Sequence, residues 1–283
     1  GVDIGGTFTD FALVDDQTGA LAVHKQLTTP ADPSQCVLAG LAALLARTGT
    51  DIAELTTIAH GTTLVTNAVI ERKGAVTGML VTEGFRDVLD IAMERRYDLF
   101  DLRLHFAEPV VPRRLRLEIP ERVMFDGAIG APIDEAAVGR AVTRLVEEHG
   151  IEALAVCFLH SYADPGHEER AREIANMLYP DLRVTTSNEV LPFMREYERW
   201  TTTTINAYVQ PLTDRYLGHL ESGLAEMGFQ GRFLVMTSSG GMATPPLARR
   251  FPVRLVESGP AAGALMAAFL GRQVGAPDLL SFD

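Results

Sequence analysis

The sequence predicts a layered α/β protein with mixed sheets arranged in two lobes. Three observations carry that expectation. Strand and helix patterns alternate along the chain, its 283 residues exceed the usual size of one domain, and a glycine-rich loop near the N-terminus is flanked by strands on both sides.

Residues 1–4 and 8–14 alternate as strands around Gly5-Gly6-Thr7. Asp15-Asp16-Gln17-Thr18-Gly19 is hairpin-turn chemistry, and residues 20–25 return as a third strand. Residues 33–47 place Val37, Leu38, Leu41, Leu44 and Leu45 at helical spacing. A short strand at 57–59 runs into His60-Gly61-Thr62-Thr63, followed by a helix over 64–72 and a strand over 75–81. Residues 94–130, rich in arginine and proline, read as a long irregular insert. Beyond it come a helix at 134–149, a buried strand at 153–159, a helix at 165–178 and a strand around Val184. A long helix at 199–227, a strand at 232–236 and a helix at 259–270 complete the pattern. The lobes are expected at 1–186 and 187–283.

Composition excludes several classes of function. The formal net charge is −12, and apart from Arg113, Arg114 and Arg116 there is no basic stripe, so no nucleic-acid partner is expected. The apolar runs 38–46 and 261–270 are too short to span a bilayer, and no signal peptide opens the chain. Cys36 and Cys157 read as buried thiols in a reducing compartment, which predicts a cytoplasmic protein. The scattered histidines show no ligand spacing, so no zinc site is expected. An acidic chain that binds a phosphate compound must do so locally, through backbone N–H groups and a metal.

Asp3-Ile4-Gly5-Gly6-Thr7-Phe8-Thr9-Asp10 has that chemistry. Gly5 and Gly6 permit positive φ and leave no Cβ between backbone and anion. Successive N–H groups then form a nest, to which the hydroxyls of Thr7 and Thr9 can add. Asp3 would act on phosphate only through Mg²⁺ or its waters. An ordinary glycine-rich turn is the competing reading, but it has no use for an acid before the glycines and threonines after them.

This motif resembles the first phosphate loop of the actin, heat-shock chaperone and sugar-kinase superfamily. The resemblance implies a ribonuclease-H-like, actin-like ATPase fold that takes ATP and Mg²⁺, with residues 3 and 5–10 at the nucleotide. The run 254–264 resembles the helix connecting the lobes in that superfamily, and Phe282-Asp283 stands where a second phosphate loop would begin. The chain is therefore expected to be a C-terminally incomplete piece of a longer protein, with Asp283 a second magnesium-side carboxylate acting through water.

The middle of the chain narrows the resemblance. In order, His60 to Ala68, Gly84-Phe85-Arg86-Asp87, Arg122, Phe158-Leu159-His160-Ser161-Tyr162, Arg195-Glu196-Tyr197-Glu198-Arg199, Asn206-Ala207-Tyr208 and Ser238-Ser239-Gly240-Gly241 resemble the hydantoinase A/oxoprolinase family. That resemblance implies ATP-dependent ring opening of a cyclic amide, such as a hydantoin or a 5-oxoproline-like lactam, by phosphorylation of the carbonyl oxygen. It also implies a hydantoinase B-like partner subunit or domain in a hetero-oligomer. The ATP-binding subunit of an acetone or ketone carboxylase, and a non-enzymatic ATPase switch, are the alternatives.

Site residues follow with their competing readings. His60 is either a reacting group beside the phosphates or a hydrogen-bonded strand-end histidine. Gly61, Thr62, Thr63 and Asn67 accompany it on the substrate side. Arg95 and Tyr97 either hold a substrate carbonyl or carboxylate or belong to a solvated charge run. Glu196 is either a general base or a member of the ion pairs that its helical spacing to Arg199 favours. Gly240 and Gly241 either present N–H groups to the nucleotide or form a plain turn.

Overall fold

The computed structural model describes residues 1–29, 32–93, 95, 98, 100–276 and 278–280. The chain opens with β1 (Val2–Ile4), β2 (Phe8–Val14), β3 (Leu21–Leu27), α1 (Pro33–Thr48), β4 (Thr57–Thr62) and α2 (Leu64–Ile70). It continues through β5 (Thr77–Thr82), α3 (Val88–Ile91), β6 (Arg116–Ile119), β7 (Arg122–Val123), β8 (Ile129–Ala131) and α4 (Glu135–His149). Then come β9 (Ala153–Cys157), α5 (Gly166–Leu178), β10 (Arg183–Thr186), α6 (Ser187–Val190) and α7 (Glu196–Glu226). The last elements are β11 (Arg232–Met236), β12 (Met242–Ala243), α8 (Pro245–Arg250) and α9 (Ser258–Val274).

Two compact units result, one of residues 1–73 with 212–283 and one of residues 74–211. This division departs from the expected boundary at 186. The reason lies in strand pairing: β11 runs parallel to β4, with Arg232 opposite Thr57 and Val235 opposite His60. The last part of the chain thus completes the sheet that the first part begins. The boundary at 211 falls at Pro211, inside α7, where the missing N–H interrupts the helical ladder.

In the first unit the strand order is β12-β11-β4-β1-β2-β3. β1, β4 and β11 are mutually parallel, while the β1-β2-β3 and β11-β12 pairs are antiparallel, so the sheet is mixed. Alternation gives it one covered face, carrying Val2, Ile4, Thr9, Phe11, Ile58, His60 and Thr62, all buried. Helix α1 packs there through Cys36, Val37, Leu41 and Leu44. Its N-terminus is capped by Asp32, which accepts from Ser34 N at 3.1 Å, with Pro33 at the first helical position. Gly40 lets the helix approach closely, since a Cβ there would lie 2.2 Å from the Phe11 ring.

The second unit holds a four-stranded sheet of order β10-β9-β5-β6, every pair parallel. Its strands β5 and β9 are buried throughout, as parallel strands covered on both faces must be. Strand β6 lies within the stretch expected to be irregular. Its apolar period is broken by Arg116, which is buried, pairs with Asp90 and donates to Val111 O at 3.0 Å. A charged residue used internally looks like loop composition from sequence alone.

Several motif residues of this unit are architectural. Glu168, fully buried, accepts from Phe158 N at 2.8 Å, Ser187 Oγ at 2.6 Å and Asn188 N at 2.9 Å. Burial pushes its carboxyl pKa up, opposed by these donors. Arg199 is equally buried and donates to Ser187 Oγ at 3.0 Å, to Phe158 O at 3.1 Å and to Phe193 O. Its distance to Glu196, 3.9 Å, makes the expected helical ion pair the weakest of its contacts.

His60 is a buried strand residue that also borders a cleft lined by Asp3, Gly5 and Gly61. Strand alternation turns its ring to the covered face, where it is 1% exposed. There Nε2 lies 2.7 Å from the hydroxyl of Tyr216, itself buried on α7, and the two are hydrogen-bonded. Phe233 lies on another side, with ring centroids 6.0 Å apart. Burial pushes the imidazole pKa down to about 4, with the backbone of Val2 opposing the shift only in part.

A pH dependence follows. Unfolded histidine titrates near about 6.5, so below that pH the unfolded chain gains a proton that the folded core refuses. The contribution is complete above about pH 6.5 and is lost as pH falls toward about 4, by up to about 3 kcal/mol. Denaturant melts of the native protein and of His60→Gln, which keeps a hydrogen-bonding group for Tyr216, test this. The native curve should fall more steeply across that window; parallel curves would assign the titration to another group.

Candidate functional site

The loop between β1 and β2 is held from within. Gly5 N donates to Phe8 O at 2.9 Å, Thr28 Oγ1 to Gly5 O at 2.9 Å, and Thr28 N to Thr7 O at 2.9 Å. The amides of Gly6 and Thr7 have no acceptor among the described residues, so two successive N–H groups remain for an anion. Neither Gly5 nor Gly6 adopts the expected positive φ. What the loop needs at residue 5 is space, because a Cβ there would lie 3.2 Å from Phe8 O.

Other residues of the motif are placed differently. Thr9 is fully buried, and its hydroxyl lies 3.0 Å from Thr28 Oγ1 and 3.2 Å from Cys36 Sγ. Its side chain therefore braces the loop from behind, on the covered side of β2. Asp10 sits on the open face, paired with Lys25 at 3.1 Å, and the Lys25 ammonium lies 4.9 Å from the centre of the Phe8 ring.

Asp3 shares that open face. In the parallel register it stands opposite Gly61, and a Cβ on residue 61 would come within 2.8 Å of Asp3 Oδ1. The glycine after His60 thus leaves the carboxylate of Asp3 in its present position, from which any Cβ at residue 61 would push it. Thr63 follows, donating from N and from Oγ1 to Ile4 O, each at 3.2 Å. Asn67 Nδ2 donates to Thr63 Oγ1 at 3.3 Å and lies 3.7 Å from where a Gly6 Cβ would be, so it flanks the loop. Thr62, by contrast, is buried, and its hydroxyl accepts from Leu64 N at 3.1 Å at the start of α2. Its hydroxyl thus meets the first amide of α2.

Helix α9 starts at the same corner. Ser258 Oγ donates to Thr62 O at 3.1 Å, and Glu257 N to Thr66 Oγ1 at 3.1 Å. A cleft of about 1190 Å³ lies between the open sheet face and this helix, bordered by Asp3, Gly5, Gly61, Thr63 and Gly259. Sequence reasoning missed Thr28 and Ser258, which support the loop from distant positions. Only the 254–264 motif hinted at the latter.

Gly240, at φ +81°, donates its N–H to Thr237 O at 3.0 Å, and Gly241 O accepts from Thr237 N at 2.9 Å. These glycines form the tight turn between β11 and β12, so the Gly240 amide is unavailable to a nucleotide. Arg95 and Glu196 border a separate cleft in the second unit. Tyr97 and Asp283 lie outside the described residues. Among the described residues no three His, Cys, Asp or Glu side chains cluster as a metal cage, and no helix is long and apolar enough to cross a membrane.

Known proteins place this architecture. The chain is 35% identical to the caprolactamase alpha subunit of Pseudomonas jessenii, over 100% of this chain and 41% of that one. The crystal structure of that organism's ATP-dependent caprolactamase superposes with a TM-score of 0.87, at 35% identity, covering 97% of this chain and 40% of that one. A nucleotide-free acetone carboxylase structure superposes at 0.85, with 28% identity over 97% of this chain and 40% of that one. 5-Oxoprolinase 1 of Arabidopsis thaliana is 30% identical over 93% of this chain and 23% of its own length. This chain therefore spans about two-fifths or less of these relatives. The model of the hydantoinase/oxoprolinase N-terminal region matches residues 1–179, and that of hydantoinase/oxoprolinase matches 199–283. With both matches in order along the sequence, the chain belongs to the hydantoinase/oxoprolinase family.

Proposed function

We propose that this protein supplies the phosphate-binding part of an enzyme that uses ATP to open a cyclic amide. The observation carrying this is the pairing of the Gly6 and Thr7 amides, which lack protein acceptors, with Asp3 on an adjacent strand whose neighbour, Gly61, leaves the carboxylate room. In this reading the two amides receive phosphate oxygens, and Asn67 and Thr63 hold the loop's flank. Mg²⁺ fits the donor set, because that ion takes one or two carboxylates and completes its shell with water and phosphate. Asp3 would hold it through water, and the ion would supply neutralisation of phosphate charge. Two free, buried cysteines support a reducing compartment such as the cytoplasm.

An unstrained amide is a poor electrophile, and activation by ATP answers that difficulty. The carbonyl oxygen takes the terminal phosphoryl group and ADP departs. One water adds at the carbonyl carbon, the ring C–N bond breaks with the nitrogen leaving as the amine, and a second water hydrolyses the remaining acyl phosphate to carboxylate and phosphate. The chain's task in the first step is positioning and charge stabilisation, the main requirements of phosphoryl transfer. Subunit names among the relatives, alpha for the caprolactamase chain and gamma for an acetophenone carboxylase chain, support a companion subunit in a hetero-oligomer. The higher identity to caprolactamase than to acetone carboxylase, 35% against 28%, favours amide opening over ketone carboxylation.

Phosphate release measured with the companion subunit present separates the readings. Stimulation by a lactam or hydantoin is expected; dependence on ketone plus bicarbonate, or turnover indifferent to either, would replace this assignment.

Three variants probe the site itself. Asp3→Asn should abolish magnesium-dependent ATP turnover while leaving the thermal melt unchanged, and near-normal turnover would remove Asp3 from the metal's shell. Gly61→Ala should lower turnover as well, since its Cβ displaces the carboxylate of Asp3. Thr9→Val should do the reverse, losing about 1 kcal/mol of stability from its buried hydrogen bonds with turnover per folded molecule unchanged. A turnover loss exceeding the loss of folded protein would return Thr9 to the phosphate.

A further inference from the structure

The cross-strand register lines up four residues on the open face of the first unit's sheet. Gly61 of β4 faces Asp3 of β1, Asp3 faces Asp10 of β2, and Asp10 faces Lys25 of β3. All four border the cleft of about 1190 Å³ that also takes in Gly5 of the phosphate loop. The row is thus a glycine, two facing carboxylates and an ammonium, each one strand from the next.

Elsewhere the open face of β2 and β3 is apolar. Phe8 faces Leu27, Ala12 faces Val23 and Val14 faces Leu21, so packing within this hairpin gives no reason for an ion pair. The Lys25 ammonium stands 3.1 Å from the carboxylate of Asp10 and 4.9 Å from the centre of the Phe8 ring. Phe8 directly follows the loop residue Thr7, so the side chain of Lys25 leans along the strand toward the loop. Arg47, the other lysine or arginine bordering the cleft among the described residues, donates to the carbonyl of Val23.

Asp10 holds Lys25 only weakly. The two side chains are 53% and 56% exposed, and an ion pair in contact with water adds little net free energy. Asp10 also faces Asp3, and like charges directly opposite each other in a sheet repel. Lysine carries a point charge on a long, rotatable stem, which suits a change of partner. We propose that Lys25 is a nucleotide-binding residue, whose ammonium is held by Asp10 until ATP enters and then passes to the phosphate oxygens. A polyphosphate presents several charged acceptors where Asp10 presents one carboxylate. In a chain of net charge −12, Lys25 supplies the positive side chain that the glycine-rich loop itself lacks. The inference rests on the ATP reading of the loop and adds to it the cation that meets the phosphate charge.

Calorimetry of Mg-ATP binding to the intact protein tests it. Lys25→Met keeps the stem over Phe8 without the charge, and should weaken Mg-ATP binding by about tenfold or more with the melt unchanged. Lys25→Arg should bring binding back to within about threefold of the native value. Asp10→Asn removes the competing carboxylate and its repulsion of Asp3, and should tighten Mg-ATP binding by about threefold. Both Lys25→Met and Asp10→Asn break the same ion pair, so opposite signs separate a cation passed to phosphate from a pair that braces the hairpin. An equal loss in these two variants, or a loss that Lys25→Arg fails to restore, overturns the proposal. Native binding of Mg-ATP that Lys25→Met leaves intact overturns this proposal alone. Failure of the native protein to bind Mg-ATP overturns the phosphate reading of the loop, and this proposal with it.

Discussion

The parallel pairing of β1 with β4 is the constraint on which the candidate phosphate site depends. It sets Asp3 opposite Gly61 and Val2 opposite His60. Because side chains alternate, a slip of one residue would bury the carboxylate and expose the imidazole. The register is secured by what each face contains. On the covered side Val2, Ile4 and Phe11 lie on strands packed against α1, Ile58 is buried, and His60 is hydrogen-bonded to Tyr216. On the open side the sheet can present a carboxylate and a glycine without loss of core.

The same pairing explains why the histidine-glycine-threonine-threonine run serves several purposes at once. Its four residues are divided between faces, the first and third in the core and the second and fourth toward the loop. His60 contributes a neutral ring to a buried hydrogen bond, Gly61 an absence of side chain, Thr62 an acceptor for Leu64 N and Thr63 a brace to Ile4. The corner thus presents backbone amides and a carboxylate beside a buried imidazole.

In the second unit, buried charge takes the organising role. Glu168 and Arg199 share Ser187 and between them hold the backbone of Phe158, Asn188 and Phe193. Such groups are expensive to bury unless every donor and acceptor is met, and here most are. Nearby, His167 lies 2.7 Å from Glu121, which also accepts from Thr82. Motifs that look catalytic in a string of letters, rich in Glu, Arg, His and Ser, are thereby turned to fixing strand ends. The loops they fix are left to form a cleft with a charged rim.

The sequence by itself determined the elements with strong local signatures. The hairpin around Gly5-Gly6-Thr7, helices α1 and α4 and the buried β9 all follow from apolar spacing and turn chemistry in neighbouring residues. The order of motifs was enough to indicate the family. Tertiary structure alone decided which face each motif residue occupies and which distant partner it meets. Thr9 finds Thr28 and Cys36, His60 finds Tyr216, and β11 joins β4 across 175 residues. Strand β6 was hidden for a related reason, since Arg116 is polar in sequence and core in the fold once Asp90 faces it. Local propensity is written in neighbouring residues. Register, burial and the pairing of charges are set by chain segments that meet only when the sheets form, and no single stretch of sequence carries that information.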